Sequence, residues 1–316
     1  GPLTFMKLVT VGGSGFLGLH VARAMARAGH EQVVLTRQPA QAGTFRLVPG
    51  VEVRKADVYD TDALARHVAG ADAVMSMAGI LNESGRDGSG FERVHVTLVD
   101  GIIEACRMAG VERVLHVSAL GAGAGESHYQ RTKGEAERHL EASGLATTVF
   151  QPSVIFGRGD SFFTRFASLL RLAPVLPLAC PGSRLQPVWA QDVAAAMVSS
   201  LERPDAVGAA WELGGPEVYT LKELVQWTAA ALGLKRSVIG LPNGVSRLQA
   251  AFMDFIPGKP FSTDNYRSLQ VDNVTRDNAL PRLGIRPASI DAIVPEYLVE
   301  SSRQRRLRKA RAEHEA

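Results

Sequence analysis

The sequence predicts an α/β fold in which a doubly wound parallel sheet is covered by helices and joined to a smaller, discontinuous C-terminal lobe. Three observations support this. Short apolar runs alternate with helical stretches through the first half, and a glycine-rich turn joins the first run to the first helix. The 316 residues are 46% hydrophobic and 21% charged, enough for a large core. Strands that are apolar on both faces are typical of parallel sheets buried by helices.

Each strand is predicted from β-branched or apolar runs bounded by turn residues, and each helix from apolar residues at helical spacing. The strands fall at residues 6–11, 32–36, 51–55, 73–77, 113–118, 146–151 and 210–213. The helices fall at residues 15–29, 91–109, 128–143, 161–172, 191–201 and 221–232. The regular alternation ends near residue 160, beyond which proline and short helical pieces become frequent.

This change divides the chain. We expect a nucleotide-binding domain of the Rossmann type over residues 6–160, completed by residues from about 185 to 215. Residues 161–184 and 216–300 are expected to form a smaller lobe for a substrate or a partner. Residues 301–316 form a basic tail.

The positive charge of the chain is concentrated in that tail. The formal net charge is +3, but six basic residues lie between positions 303 and 311, and without the tail 29 basic residues face 30 acidic ones. A body with net charge −1 lacks the excess that nucleic-acid binding uses, so that class is excluded. The tail itself could remain solvated, or contact an anionic membrane or an acidic partner. Its basic residues are Arg303, Arg305, Arg306, Arg308, Lys309 and Arg311.

The cysteine content and the hydropathy indicate the redox compartment and whether the chain could cross a membrane. Cys106 and Cys180 are too few for a disulfide scaffold, which fits a reducing compartment and a cytoplasmic location. A transmembrane helix needs about 18 consecutive apolar residues, and the sequence has no such run. No histidine, cysteine and carboxylate cluster has metal-ligand spacing, so no metal site is predicted.

The glycine-rich turn is the strongest functional motif. Residues 12–18 read Gly-Gly-Ser-Gly-Phe-Leu-Gly, directly after a strand and at the start of a helix. Glycines at this position let the backbone approach a pyrophosphate, and the helix N-terminus binds the anion through its free N–H groups. The sequence therefore predicts a dinucleotide site that includes Gly12, Gly13, Ser14, Gly15, Phe16, Leu17 and Gly18.

The second strand indicates which dinucleotide is bound. An NAD site usually places an acidic residue there to bind the ribose hydroxyls, whereas this strand ends in Thr36-Arg37. A guanidinium group suits a 2′-phosphate, so we expect NADP(H) as the cofactor. The alternative is that Arg37 is an ordinary solvated loop residue.

Later motifs make the chain resemble the extended and atypical short-chain dehydrogenase/reductases over residues 6–297. The run from Tyr129 to Lys133 matches the Tyr-x-x-x-Lys motif of that superfamily, and the runs at 151–157, 186–193 and 211–216 match its later landmarks. The resemblance implies further cofactor contacts at Asp57, Val58, Ala78, Gly79, Lys133, Pro152, Ser153 and Val154.

Three stretches narrow the resemblance. Residues 91–95, 116–122 and 152–157 are similar to those of bacterial relatives of the NADPH-binding Rossmann-type accessory subunit of respiratory complex I. That group is associated with quinone metabolism. The resemblance implies cofactor binding without guaranteeing turnover.

The tyrosine and lysine have a chemical rationale of their own. Residues four apart share one face of a helix, so Tyr129 and Lys133 lie together. We expect the lysine charge to lower the tyrosine pKa and Tyr129 to donate a proton to a carbonyl oxygen. Lys133 is also expected to bind the nicotinamide ribose. Without the surrounding motifs, this spacing would be common on any solvated helix.

A serine that steadies the substrate oxygen should complete the set. Ser118 ends the fifth strand, but alignment on residues 111–113 places the usual hydroxyl at or next to Ala119. A shift of one residue reverses the face of a strand, so Ser118 could line the site without being the usual partner. His116, two residues earlier in the strand, is expected to be a packed histidine.

Two functions follow. The first is an NADP(H)-dependent reductase of a hydrophobic carbonyl or quinone-related substrate, with Tyr129 as proton donor and Lys133 and Ser118 as its partners. The second is a non-catalytic assembly factor of a respiratory or quinone-synthesis complex, stabilised by its cofactor. The aromatic residues of the smaller lobe fit a hydrophobic substrate: Phe162, Phe163, Phe166, Phe252, Phe255 and Phe261.

Overall fold

A computed structural model of the protein describes residues 4–79, 82–256 and 260–314. In the first part, strands and helices alternate as the sequence predicts. They are β1 (Lys7–Val11), α1 (Phe16–Arg27), β2 (Glu31–Thr36), β3 (Val51–Lys55), α2 (Thr61–Val68), β4 (Ala73–Ser76), α3 (Ser89–Phe91), α4 (Leu98–Ala109), β5 (Arg113–Val117), α5 (His128–Ala142) and β6 (Ala146–Pro152). A π-helical segment, Glu92–Thr97, joins α3 to α4, and a 3₁₀ segment, Pro39–Leu47, lies between β2 and β3.

The second part is built from shorter pieces. They are β7 (Ile155–Phe156), α6 (Phe162–Leu172), β8 (Val175–Leu178), β9 (Arg184–Leu185), β10 (Val188–Trp189), α7 (Ala190–Ser200), β11 (Ala210–Leu213), β12 (Tyr219–Thr220), α8 (Leu221–Ala231), β13 (Ser237–Gly240), α9 (Asn243–Met253), α10 (Thr263–Ser268), α11 (Ala279–Arg282) and α12 (Ile290–His314).

The main sheet has seven strands in the order β11-β6-β5-β4-β1-β2-β3, and all its pairings are parallel. After β3 the chain crosses to β4 on the other side of β1, so the winding reverses there. The helices that follow β1 and β4, α1 and α4, lie on opposite faces of the sheet, and open α/β sheets bind ligands in the crevice at such a point. The arrangement confirms the predicted doubly wound fold.

Both faces of the sheet are covered by apolar cores. On one face Leu64, Ile102 and Leu140 from α2, α4 and α5 pack against the strands. On the other, Met25 of α1 and Met197 of α7 do the same. These side chains are at most 1% exposed. Each contributes roughly 1.5–3 kcal/mol by leaving water, so the sheet edge that carries the loops rests on a rigid base.

The smaller lobe has its own core and is tied to the sheet by buried polar contacts. Phe163, Leu224 and Val294 are fully buried within it. The Tyr297 hydroxyl of α12 donates to the carboxylate of Asp160, which follows β7. Within the described part of the chain, no helix combines the length and the apolar character needed to cross a membrane.

The elements missed by the sequence analysis are short or polar. Helix α2 begins at the cap residue Asp60, which accepts a hydrogen bond from the N–H of Ala63, but only half of its residues are apolar. Several lobe strands have two to four residues, too short for a period-two pattern to be recognised. The predicted tail belongs to α12 through residue 314, and residues 315–316 lie outside the described part.

His116 of β5 is a packed histidine, as predicted. It is 1% exposed, and its Nδ1 lies 2.9 Å from Oγ of Ser76 on the neighbouring strand β4. Burial, followed by the nearby charge of Lys133, lowers the pKa of His116 to about 3. The ring is therefore neutral in the folded protein at any physiological pH.

This burial makes stability depend on pH. Between about pH 6.5 and 3 the unfolded chain binds a proton at His116 that the folded chain rejects, so the free energy of unfolding should fall as pH decreases. Denaturant titrations of the wild type and His116→Gln from about pH 7 to 5 measure this, and the variant should lose less stability. The same pH slope in both proteins would contradict the assignment.

Candidate nucleotide-binding and active site

The turn after β1 is packed too tightly for any residue but glycine. Gly12 has φ +75°, and a Cβ added there would lie 2.5 Å from the Cβ of Ala78 after β4. A Cβ at Gly18 would lie 1.7 Å from the carbonyl oxygen of Gly13. The first turn of α1 is thereby held directly against the turn that precedes it.

The same turn leaves room for an anion. A Cβ at Gly15 would meet nothing within 4 Å, so this residue faces open space at the start of α1. The helix begins at Gly15 without a side-chain cap and without an acidic residue in its first turn. Its positive dipole end is therefore not neutralised locally. The turn fits a dinucleotide pyrophosphate, and Phe16, whose ring lies 3.5 Å from a Cβ added at Gly157, flanks it.

Two predicted cofactor residues meet beyond β2 and β3. Arg37 Nη2 lies 3.1 Å from Asp57 Oδ1, with both side chains more than half exposed. The N–H of Tyr59 and then Arg37 hold the pKa of Asp57 below its usual range. Arg37 also lies over the ring of Tyr59, 5.1 Å from its centroid, and Arg93 stacks on the same ring at 3.9 Å. Two guanidinium groups thus border the end of β2.

The turn after β4 meets the helix that carries the predicted catalytic pair. Ala78 packs against the core beneath the sheet edge. A Cβ at Gly79 would lie 3.3 Å from Nζ of Lys133 and 3.7 Å from Nε2 of His95. Gly79 therefore allows both nitrogens to approach the loop that follows β4, at the carboxyl edge of the sheet.

Tyr129 stands among aromatic rings. The ring of His95 lies 5.4 Å from the tyrosine ring and that of Phe91 lies 6.1 Å away, both edge-to-face. The Thr132 hydroxyl donates its proton to the carbonyl oxygen of His128 at 2.8 Å. The hydroxyl oxygen therefore accepts from His95, whose Nδ1 lies 2.9 Å away and carries the ring proton. This sets the tautomer and orientation of His95.

Electrostatics at the pair differ from expectation. Burial raises the pKa of Tyr129 to about 12, so the predicted lowering by Lys133 is wrong. The reason is desolvation: Tyr129 is partly buried against the rings of Phe91 and His95, and Lys133 is itself only 4% exposed. Burial lowers the pKa of Lys133 to about 8, which the charge of Glu137 partly offsets. A phenol in this state holds its proton at neutral pH.

Ser118 is buried, and among the described residues its Oγ has no hydrogen-bond partner, Tyr129 included. Burial raises the pKa of Glu137, one helical turn beyond Lys133, and Gln151 Nε2 donates to its carboxylate at 2.9 Å. A direct catalytic role of Ser118 stays a prediction.

The predicted residues after β6 connect the sheet to the lobe. The Ser153 hydroxyl donates to the carbonyl of Gln186, and the N–H of Val154 donates to Asn273 Oδ1 at 2.8 Å. The carbonyl of Pro152 accepts from the N–H of Leu120 at 3.0 Å. Pro152, Ser153 and Val154 lie at the carboxyl edge of the sheet. Their contact with the cofactor stays a prediction.

Sequence reasoning missed three contributors. His95 and Arg93 come from the π-helical segment, a feature often found at functional sites. Asp264, in α10 of the lobe, accepts from the N–H groups of His128 at 2.7 Å and Tyr129 at 3.2 Å. It caps the helix that carries the pair from 135 residues away. No local pattern could have revealed such a contact.

A cavity of about 180 Å³ lies between this cap and the loop before α3. Phe91, whose ring packs edge-to-face on Tyr129, forms one wall. The remaining lining is largely charged and includes Glu83, Arg86, Asp254, Asp264 and Arg267.

Comparisons with known proteins agree with this geometry. A family model described as NAD(P)H-binding matches residues 12–164. The chain is 30% identical over 234 residues to ceramide reductase of Caulobacter vibrioides, covering 73% of this chain and 72% of that one. It is 27% identical over 307 residues to the mitochondrial alpha subcomplex subunit 9 of NADH dehydrogenase [ubiquinone] 1 of Arabidopsis thaliana, covering 92% and 76%.

The fold is also shared with solved structures. An NADPH-dependent quinone oxidoreductase of Escherichia coli superposes with a TM-score of 0.72 at 19% identity, over 93% of this chain and 99% of that one. The chain belongs to an NAD(P)H-binding protein family that includes ceramide reductase. The narrower resemblance to the complex I accessory subunit is confirmed as well.

The cap from Asp264 can be tested directly. Asp264→Ala leaves two N–H donors at the start of α5 without their acceptor, which should cost about 1–2 kcal/mol of unfolding free energy. Thermal and denaturant unfolding measure the loss. Asp277→Ala, at a carboxylate whose side chain is 74% exposed, should be near neutral. Equal stability of the two variants would contradict the capping role.

Proposed function

We propose that this chain is an NADP(H)-dependent reductase of a hydrophobic carbonyl or quinone-related substrate. The observation that carries the proposal is the placement of a protonated Tyr129 one helical turn from Lys133, with the ammonium beside Gly79 at the edge of the dinucleotide turn. The names of related reductases support the reaction class.

The chain's own residues account for the proton side of a reduction. Bound nicotinamide would supply the hydride. Tyr129 holds a proton at its phenol oxygen at neutral pH, as a phenol with a pKa of about 10 already does, and burial raises its pKa further, to about 12. It would donate this proton as a carbonyl oxygen gains electron density. The Lys133 ammonium would then favour the phenolate left behind.

The preference for NADP(H) rests on Arg37. Its guanidinium stands at the end of β2, where an acidic residue would bind the ribose of NAD, and Asp57 holds it in place. Arg93 on the same tyrosine ring adds positive charge. An anionic 2′-phosphate fits this pair better than a neutral ribose hydroxyl does.

A second candidate function is supported by Ser118. Its buried hydroxyl makes no hydrogen bond to Tyr129 or to any other described residue, so the usual third member of the catalytic set is not engaged. The relative from Arabidopsis thaliana is named as a subunit of NADH dehydrogenase. A cofactor-stabilised assembly factor of a respiratory or quinone-synthesis complex would need the fold and the nucleotide but no turnover. A basic tail that contacts an anionic membrane fits either function.

Turnover separates the two functions. Purified protein with NADPH is mixed with long-chain carbonyl and quinone compounds while NADPH absorbance is followed. We expect Tyr129→Phe to lose about 10²–10⁴-fold in turnover with cofactor affinity within a few-fold, since only the transferable proton is removed.

Two further variants frame this test. Tyr219→Phe removes an exposed hydroxyl bound to Glu217 and should leave turnover unchanged. Lys133→Met should weaken cofactor binding as well as turnover. Full activity in Tyr129→Phe would show that the proton donor is misassigned. Absence of NADPH oxidation by the wild type with every compound would favour the assembly factor.

Cofactor preference is measured by calorimetry. Arg37→Ala should weaken NADPH binding about tenfold or more while NADH binding changes by a few-fold at most, because a charged hydrogen bond to phosphate is lost. Arg54→Ala, which removes an arginine paired with Glu52 on β3, should leave both affinities unchanged. Equal affinity of the wild type for NADPH and NADH would overturn the preference.

A further inference from the structure

Helix α9 is held firmly by one face. Ser246 and Ala250 are fully buried against the lobe. The Ser246 hydroxyl accepts from the N–H of Cys180 at 3.2 Å, and the Tyr266 hydroxyl donates to Asn243 Oδ1 at 2.7 Å. The orientation of the helix is therefore set by its anchored side.

The opposite face is apolar and exposed. Val245, Leu248, Phe252 and Phe255 recur at spacings of three, four and three residues, and they are 46%, 71%, 70% and 73% exposed. At about 100° per residue Val245, Leu248 and Phe252 span roughly 60° of arc on α9, opposite the buried pair, and Phe255 follows in the turn after the helix ends at Met253. We call these four residues the α9 stripe. Phe252 and Phe255 were predicted to contribute to a hydrophobic substrate site in the lobe, but both are exposed on its surface.

Positive charge borders the stripe. Helix α9 contains no acidic residue, and Arg247 is exposed beside Leu248. The Arg86 guanidinium lies 4.7 Å from the ring centroid of Phe255. Arg86 Nη2 also lies 3.5 Å from Asp254 Oδ2, so the charges of this pair compensate each other. The Asp254 side chain, at the end of α9, is 5% exposed and accepts from the N–H and hydroxyl of Thr263. The charge that remains beside the stripe is that of Arg247, and α9 contains no acidic residue that would repel an anionic partner.

The stripe adjoins the charged cavity. Arg86, which lies over the Phe255 ring, lines that cavity together with Asp254. Phe91 forms another part of the lining and packs edge-to-face on Tyr129.

We propose that α9 is an interfacial helix that seats the lobe on an anionic lipid bilayer. Apolar residues on one face of a helix with a basic residue beside them suit shallow membrane binding, with burial to about 5–10 Å. The stripe binds through apolar contact and Arg247 through lipid phosphates. Only the corollary, that substrate enters from the bilayer, rests on the proposed function.

Sedimentation with vesicles tests the proposal. Vesicles of phosphatidylcholine with phosphatidylglycerol should bind the full chain, and replacing Leu248, Phe252 and Phe255 by serine should lower the partition coefficient about tenfold or more. A matched control replaces Leu47, Met108 and Val207 by serine, at exposed apolar positions outside the stripe. Nucleotide binding and melting temperature verify that each variant is folded.

Ionic strength distinguishes vesicle binding through the tail from vesicle binding through the stripe. Truncation after Ser302 removes the tail, whose binding to vesicles should be lost at high ionic strength, whereas binding through the stripe should persist. A fluorophore on Leu248→Cys should shift to the blue with vesicles, and one on Leu47→Cys should not; the native Cys106 and Cys180 are buried.

Three outcomes would overturn the proposal. They are no binding of the wild type to these vesicles, binding of the serine variant equal to that of the wild type, and self-association through the stripe in place of vesicle binding. None requires turnover, so vesicle binding without activity would reject the proposed function and leave the helix assignment intact.

Discussion

The contact on which the site depends is the backbone packing of the turn after β1 against the turn after β4. Gly12 sits so close to Ala78 that even a methyl group would overlap it. This contact exists because the winding of the sheet reverses between the two strands. It places the start of α1 and the residues near Gly79 on one crevice, where a dinucleotide can span both.

Burial shapes the chemistry of the second half of this crevice. Lys133 is 4% exposed, and Tyr129 is partly buried against the rings of Phe91 and His95. Desolvation opposes charge on both groups, so it raises the pKa of the phenol and lowers that of the ammonium. Burial therefore keeps Tyr129 protonated and opposes the phenolate that the nearby lysine charge would favour. Glu137 limits the effect on the lysine.

The smaller lobe also stabilises the start of α5, the helix that carries Tyr129 and Lys133. Asp264 caps α5, and the Ser268 hydroxyl reaches Ser127 at 2.8 Å. Tyr297 and Asp160 fix the last helix to the loop beyond β7. Movement of the lobe would therefore act on Tyr129 through the start of its helix. The cavity, the cap and the α9 stripe lie along one side of the molecule.

Much of the fold and half of the site follow from local sequence. Apolar runs with turns between them specify the six strands of the first half, and the glycines of residues 12–18 specify the dinucleotide turn, because these signals act over neighbouring residues. The spacing of Tyr129 and Lys133 places them on one helical face for the same reason. Their protonation states depend on which residues cover that face, and the spacing does not reveal this.

What the tertiary structure decided involves residues far apart in the chain. His95 and Arg93 reach the site because a π-helical segment carries them. Asp264 reaches it from the smaller lobe, although it lies 135 residues from Tyr129 in the chain. Whether Ser118, directly after β5, meets Tyr129 was open in the sequence, since one residue of register reverses the face of a strand. The exposure of Phe252 and Phe255 was equally open, because composition shows that a residue is apolar but only packing shows whether another surface covers it.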